Sequence, residues 1–126
     1  MATNENSRQV TRIAGEALTR YRFVRSGALG RVLHTAIVVN QFVDGIVAED
    51  SILTADNVGI VVPDGGTAKV QAGGVITAGA NVTTNASGQA VAAASTNAIV
   101  GTYIGSVSSA ANDIIEIQFA HKGAQP

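Results

Sequence analysis

The sequence predicts an all-β fold: a small closed or partly open β-barrel or sandwich of about eight to ten short strands from two similar halves, with an extended N-terminal arm. Composition is the first observation, because small and β-branched residues dominate and only five of the 126 residues are aromatic. Periodicity is the second, since short alternating runs end at glycines and no long run repeats every 3.6 residues. The third is a recurring order of glycines and strands in the two halves.

The polar N-terminus lacks the apolar run of a signal peptide. We interpret residues 1–14 as an extended arm and residues 15–126 as a single domain, because the chain is long enough for one core and short for two. The longest apolar runs are far too short to cross a bilayer, so we expect no membrane partner.

Short strands separated by turns are predicted after the arm. Alternation over residues 17–24 predicts the first strand, with Tyr21 and Phe23 facing the core and the neighbouring arginines facing out. Two glycines mark a turn over residues 26–30. Further strands are predicted over residues 31–39, 42–48, 58–62, 67–72 and 113–119, with a loop over 51–57 and a Pro-Asp-Gly-Gly turn at 63–66.

The second half of the sequence repeats this order of short strands and glycines, which indicates a weak internal duplication. We assign the repeat to residues 15–62 and 73–120. Alanine in residues 90–94 favours a helix, but the Ser-Gly turn before them and the short length favour a strand. A shift of 58 residues places Gly15 on Gly73, Val24 on Val82 and Gly30 on Gly88, and a later shift of 56 places Gly45 on Gly101, Ala55 on Ala111 and Val58 on Ile114.

The charge of the chain is divided unevenly. Residues 1–31 carry six arginines against two glutamates, whereas residues 32–126 carry two lysines against seven acidic residues. A basic segment beside an acidic body is typical of an interaction region. We therefore predict that the partner is contacted by Arg8, Arg12, Arg20, Arg22 and Arg25.

The sequence contains no recognisable catalytic, metal-binding or cofactor motif. Cysteine is absent, which excludes disulfides and thiolate metal sites. His34 and His121 have no partner at metal-ligand spacing, and the acidic residues over 44–56 lack the calcium-loop pattern. Neither a Gly-x-Ser-x-Gly elbow nor a phosphate-binding glycine loop occurs. We expect no enzyme, no metal and no cofactor.

The segment over residues 20–25 keeps a second function open. It interleaves arginines with aromatic rings, which is typical of single-strand nucleic-acid platforms. A small β-barrel module that binds nucleic acid or carbohydrate through Arg20, Arg22 and Arg25 is therefore the alternative. A net charge of −1 and the expected burial of the two rings favour pairing of the arginines with carboxylates of an acidic protein surface.

Residues 72–91, 99–104 and 114–117 resemble a known family. Their spacing of glycines and small residues is similar to that of the phage capsid cement (decoration) proteins, a family long described as a domain of unknown function. The strand Gly-Ile-Val-Ala at residues 45–48 also fits, whereas Asn81 stands where the family often has Asp. The resemblance covers residues 15–119, and the arm has no counterpart in it.

The resemblance implies a structural protein of the virion on the outer surface of the capsid. Such a protein binds the expanded shell and stabilises contacts between major capsid proteins, without catalysis. The partner implied is the major capsid protein, together with further copies of this chain in a homo-oligomer, with a trimer favoured over a dimer. Neither nucleic acid nor membrane is implied as a partner. We further expect the arm to extend over a neighbouring subunit.

Overall fold

The computed structural model describes residues 9–27, 30–34, 42–49 and 53–126 of the chain. These residues form two antiparallel sheets, which confirms the all-β prediction. The strands are β1 (Gln9–Ile13), β2 (Phe23–Ser26), β3 (Val32–Leu33), β4 (Gly45–Val47), β5 (Asn57–Val61), β6 (Thr67–Gln71), β7 (Asn81–Thr84), β8 (Ala90–Ala92), β9 (Gly101–Tyr103) and β10 (Ile114–Phe119).

The two sheets have the same topology. The first sheet has the order β1-β5-β4-β2-β3, and the second has the order β6-β10-β9-β7-β8, which is the first order displaced by five strands. A parallel bridge joins Ala14 to Val32 in the first sheet, and Ala72 to Ala90 in the second. Each sheet therefore curls. In the first sheet the end of β1 reaches the start of β3, and in the second sheet the end of β6 reaches the start of β8.

The register relates the halves residue by residue. Strands β1, β2 and β3 match β6, β7 and β8 at a shift of 58, and β4 matches β9 at 56. For β5 and β10 the shift is 57, because Ile13 pairs with Asn57 whereas Gln71 pairs with Ile114. The predicted match of Val58 to Ile114 is thus one residue off. The matching strands begin at Gln9 and Thr67, earlier than the predicted repeats.

The core lies in two clusters on opposite faces of the first sheet. Val24, Val47 and Ile60 belong to a cluster built from the first sheet alone. Their strand neighbours Phe23, Ile46 and Val61 belong to a larger cluster with apolar residues of the second sheet. The first sheet is therefore buried on both faces. This explains why every residue of β4 is buried.

Strand β10 of the second sheet buries one face only. Along β10, Ile115, Ile117 and Phe119 are buried, while Ile114 and Gln118 on the other side are exposed. The predicted alternation of this strand is therefore correct. Tyr103 and Val82 of the neighbouring strands lie in the same cluster. This face packs against the first sheet, and the outer face remains at the surface except at Thr83 of β7, which is buried.

Two predictions for the N-terminal part need correction. Residues 9–13 of the predicted arm form β1, an edge strand that is paired over its whole length with β5. Residues 1–8, which include Arg8, lie outside the described residues. The strand predicted over 17–24 begins only at Phe23, because the backbone at Tyr21 takes a φ of 66°. A left-handed residue cannot continue an extended strand.

Candidate functional site

The four described arginines that we predicted as partner contacts lie on β1, on β2 and in the segment before β2. Arg12 is exposed on β1, and its Nη1 donates to the neighbouring carbonyl of Thr11 at 3.2 Å. Arg25 lies on β2, opposite Leu33. Arg12 and Arg25 therefore lie on strands that are not neighbours in the order of the first sheet.

The other two arginines interact with the protein itself. The guanidinium of Arg20 lies 4.6 Å from the centre of the Tyr21 ring, a cation–π contact. The Nε of Arg22 donates to Oε1 of Gln71 on the second sheet, at 3.1 Å. Tyr21 therefore does not face the core as predicted. Because residues 20 and 21 form a turn, the amphipathic strand predicted for these residues is not present there.

A tight joint connects the turn before β2 to the second sheet. The N–H of Gln71 donates to the carbonyl of Tyr21, and the N–H of Phe23 donates to the carbonyl of Gly88, both at 2.7 Å. A Cβ at Gly88 would lie 2.7 Å from the Phe23 carbonyl oxygen, so only glycine fits this approach. We call Gln71, Gly88 and Gln89 the inner rim: the first two bond directly to residues 21–23, and Gln89 binds the side chain of Gln71.

Amide side chains hold the inner rim in place. Nε2 of Gln89 donates to Oε1 of Gln71 at 3.0 Å and to Oδ1 of Asn112 at 3.3 Å. Nδ2 of Asn85 donates to Oε1 of Gln89 at 3.2 Å. Gln71 thus accepts from both Gln89 and Arg22 through one oxygen. These bonds orient the amide that receives the guanidinium.

The outer face of the second sheet carries a polar row. In the first sheet, Phe23 pairs with Ile46, and Ile46 pairs with Val61, all buried. The matching row in the second sheet is polar, and hydrogen bonds connect it to the C-terminal segment. The members of the polar row and their partners are Asn81, Thr102 and Gln118, joined by Lys122 and Gln125.

His34 is bound on both ring nitrogens. Its Nδ1 lies 2.8 Å from the Phe23 carbonyl, and its Nε2 lies 2.9 Å from the N–H of Thr19. Because a carbonyl only accepts and an N–H only donates, the neutral tautomer protonated at Nδ1 satisfies both contacts. Burial lowers the pKa of His34, and the hydrogen bond to Phe23 and the charge of Glu16 oppose this shift.

His121 connects the C-terminal segment to the first sheet. Its ring lies 4.7 Å from the ring of Phe42 and 6.3 Å from that of Phe119, centroid to centroid. Burial lowers the pKa of His121, while Asp44 and the backbone of Val43 act in the opposite direction. Both histidines therefore serve contacts within the protein.

The described part of the chain shows no group of three or more His, Cys, Asp or Glu side chains placed to hold a metal ion. It also contains no helix that is long and apolar enough to cross a membrane. The exposed large apolar side chains are scattered over both sheets and their loops: Ile13, Phe42, Leu53, Val75, Ile104, Val107 and Ile114.

The fold consists of two curled five-stranded sheets with the same strand order. The inner face of the second sheet packs on the outer face of the first. This fold is similar to a solved structure, that of the N base of head fiber gp8.5 in bacteriophage phi29. The similarity has a TM-score of 0.72 and covers 94% of this chain and 98% of that chain, at 17% sequence identity. No protein-family model matches the chain, and no curated protein sequence matches it.

Sequence reasoning missed the inner rim. Gln71 and Gln89 are amides in Gly- and Ala-rich surroundings, and their residue types predict no contact. A signal was nevertheless present, because the shift of 58 aligns Tyr21 with Gly79. Both residues take a positive φ, 66° and 82°. A tyrosine aligned with a turn glycine indicates a turn rather than a strand.

Proposed function

We propose that this protein is a structural component of a bacteriophage head that binds the outer surface of the capsid and stabilises contacts between major capsid proteins. The observation that carries the proposal is the extent of the similarity to the phi29 head fiber base. It spans nearly the whole of both chains, so the likeness extends over both sheets of the fold. The resemblance of residues 72–91 to capsid cement proteins supports the same class independently.

The physical character of the domain supports this proposal. Among the described residues, the largest buried side chains are apolar, and the polar contacts join one part of the protein to another. A rigid module of this kind suits a binding protein that gains strength from many copies on a repeating lattice. The expected partner is the major capsid protein, and we expect a homo-oligomer, with a trimer favoured over a dimer.

The cementing role is tested by the stability of the shell. Expanded shells that lack the protein are heated with and without a saturating amount of it, and the disruption temperature is followed by light scattering or electron microscopy. We expect the shells to be disrupted at a higher temperature when the protein is present. An unchanged temperature on shells that are demonstrably occupied would remove the cementing role and leave attachment alone.

A further inference from the structure

The surface that the second sheet uses to contact the first sheet has a counterpart on the first sheet. At the shift of 58, the inner rim of Gln71, Gly88 and Gln89 matches Ile13, Gly30 and Arg31, which we call the outer rim. The local geometry agrees: Gly27 donates to the carbonyl of Arg31 at 2.7 Å, as Asn85 donates to that of Gln89 at 2.9 Å.

Ile13 and Gly30 of the outer rim are exposed and Arg31 is half-buried, whereas Gly88 of the inner rim is buried. Gly88 is buried against the Phe23 backbone, whereas a Cβ placed at Gly30 meets no described atom within 4 Å. Ile13 has 44% of its surface exposed. Gln71 is the partly buried residue at the matching position, and it is held by Arg22 and Gln89.

The edge of β1 carries hydrogen-bonding groups that point away from its sheet. Ala14 donates to the Asp56 carbonyl, as Ala72 donates to that of Asp113. Since antiparallel strands alternate in this respect, the N–H of Ile13 points outward, as that of Gln71 does toward Tyr21. An exposed strand edge of this kind pairs with an extended segment of another chain.

The charge of the outer rim defines its partner. The inner rim offers amide oxygens, and the group that it binds is the guanidinium of Arg22. The outer rim instead carries a guanidinium, that of Arg31, with Arg12 exposed on the adjacent strand. The complementary group is therefore a carboxylate, which pairs with a guanidinium in bidentate geometry.

A second copy of this chain does not supply the carboxylate by packing its first sheet on the second sheet of its neighbour, as the two sheets pack within one chain. The apolar row that receives the second sheet is Phe23, Ile46 and Val61, and its counterpart is the polar row bound by Lys122. In addition, the residue that matches Arg22 is Ala80, which offers no charged group. Head-to-tail stacking of copies would thus bury the polar row together with the charged ammonium of Lys122, which is unfavourable.

We infer that the outer rim of Ile13, Gly30 and Arg31 is the surface that meets the shell, where it binds an acidic, extended segment of the major capsid protein. The segment presents a backbone carbonyl to the N–H of Ile13 and a carboxylate to Arg31. This inference rests on the proposed function, because it names the face through which shell binding occurs.

The test is co-sedimentation of the full chain with expanded shells that lack it, over a range of protein concentrations. The rim variants are Arg31→Gln, which adopts the residue of the inner rim, Arg31→Glu and Ile13→Asp. The matched controls are Lys69→Gln, which removes one positive charge from the second sheet, and Ile104→Asp, whose side chain is 47% exposed. Denaturation curves verify that every variant is folded.

We expect Arg31→Glu and Ile13→Asp to weaken binding by about tenfold or more, and Arg31→Gln by a smaller factor, with both controls close to the wild type. Wild-type binding that Arg31→Glu and Ile13→Asp leave unchanged would overturn the inference and keep the proposed function. Loss of binding in the controls alone would assign the contact to the second sheet and overturn it as well. If the wild type fails to bind any shell, the proposed function falls, and the inference falls with it.

Discussion

The rings of Phe23 and Phe119 lie 5.9 Å apart, centroid to centroid, at an angle of 44° between their planes. Phe23 stands on the first sheet and Phe119 at the end of the second, and both are fully buried. This pair therefore lies at the contact between the two sheets. A tilted pair at this distance adds attraction beyond the burial of its surface.

Truncation of this pair separates the contribution of the joint from that of the surface. We expect Phe119→Ala to lower the free energy of unfolding by about 3–5 kcal/mol, because a buried ring leaves a cavity between the sheets. Phe42→Ala is the control, since this ring is 40% exposed and packs on His121. Urea denaturation gives both values, and equal losses would show that the joint is not a main source of stability.

The glycine at the start of β9 allows a close approach of two strands. A Cβ at Gly101 would lie 2.6 Å from the carbonyl oxygen of Gln118 and 2.9 Å from Cδ1 of Ile117. We expect Gly101→Ala to destabilise the protein by about 1–3 kcal/mol through this overpacking. Gly74→Ala, where nothing lies within 4 Å, should be neutral or stabilising by up to about 1 kcal/mol. Similar melting temperatures for the two variants would contradict the packing described for β9.

The polar row should limit association of the outer face. Replacing Asn81, Thr102 and Gln118 by the Phe, Ile and Val of the first sheet creates an apolar patch at the surface. We expect the average mass of this triple variant to rise with concentration beyond that of the wild type, because exposed apolar patches associate. Sedimentation equilibrium measures the change. Thr54→Ile, a single exposed position in a loop, is the control and should behave as the wild type.

Acid should destabilise the protein through its two histidines. Burial lowers the folded-state pKa of His34 and His121, so the unfolded chain binds protons more readily than the folded one. Their contribution to stability is therefore complete above a pH of about 6.5 and is lost as the pH falls through the lowered folded-state values. For His34, a second ring proton would face the N–H of Thr19.

The urea midpoint should thus be lower at acidic pH than at pH 7.5. The variant with both His34→Gln and His121→Gln should show a smaller decrease over the same range, whatever its absolute stability. A wild type and a double variant with the same pH dependence would show that other groups are responsible.

The fold class was predictable because two patterns survive in the sequence. Ile115, Ile117 and Phe119 alternate with polar residues, and this period of two alone assigns them to one buried face. The shift of 58 places Gly30 on Gly88, and both take a positive φ, 69° and 83°. Positions of this kind are set by local backbone geometry, which residue type reports directly.

The joint between the sheets was not predictable in the same way. Gln71 receives the Arg22 side chain only because β6 ends beside the turn before β2, 49 residues earlier in the chain. Strand β1 was assigned to the arm since its polar residues show no alternation, although the shift of 58 aligns it with β6. Contacts of long sequence separation depend on topology, which local composition does not encode.

Binding of the wild-type chain to phage shells tests the proposed role at the capsid surface. Purified protein is mixed with expanded shells that lack it and with unexpanded shells, and the amount in the pellet is measured against concentration. We expect saturable binding to the expanded shells, at a fixed number of copies per shell, and weaker binding to the unexpanded ones. Absence of the protein from both pellets at saturating concentration would contradict the proposal that this chain is a structural protein of the capsid surface.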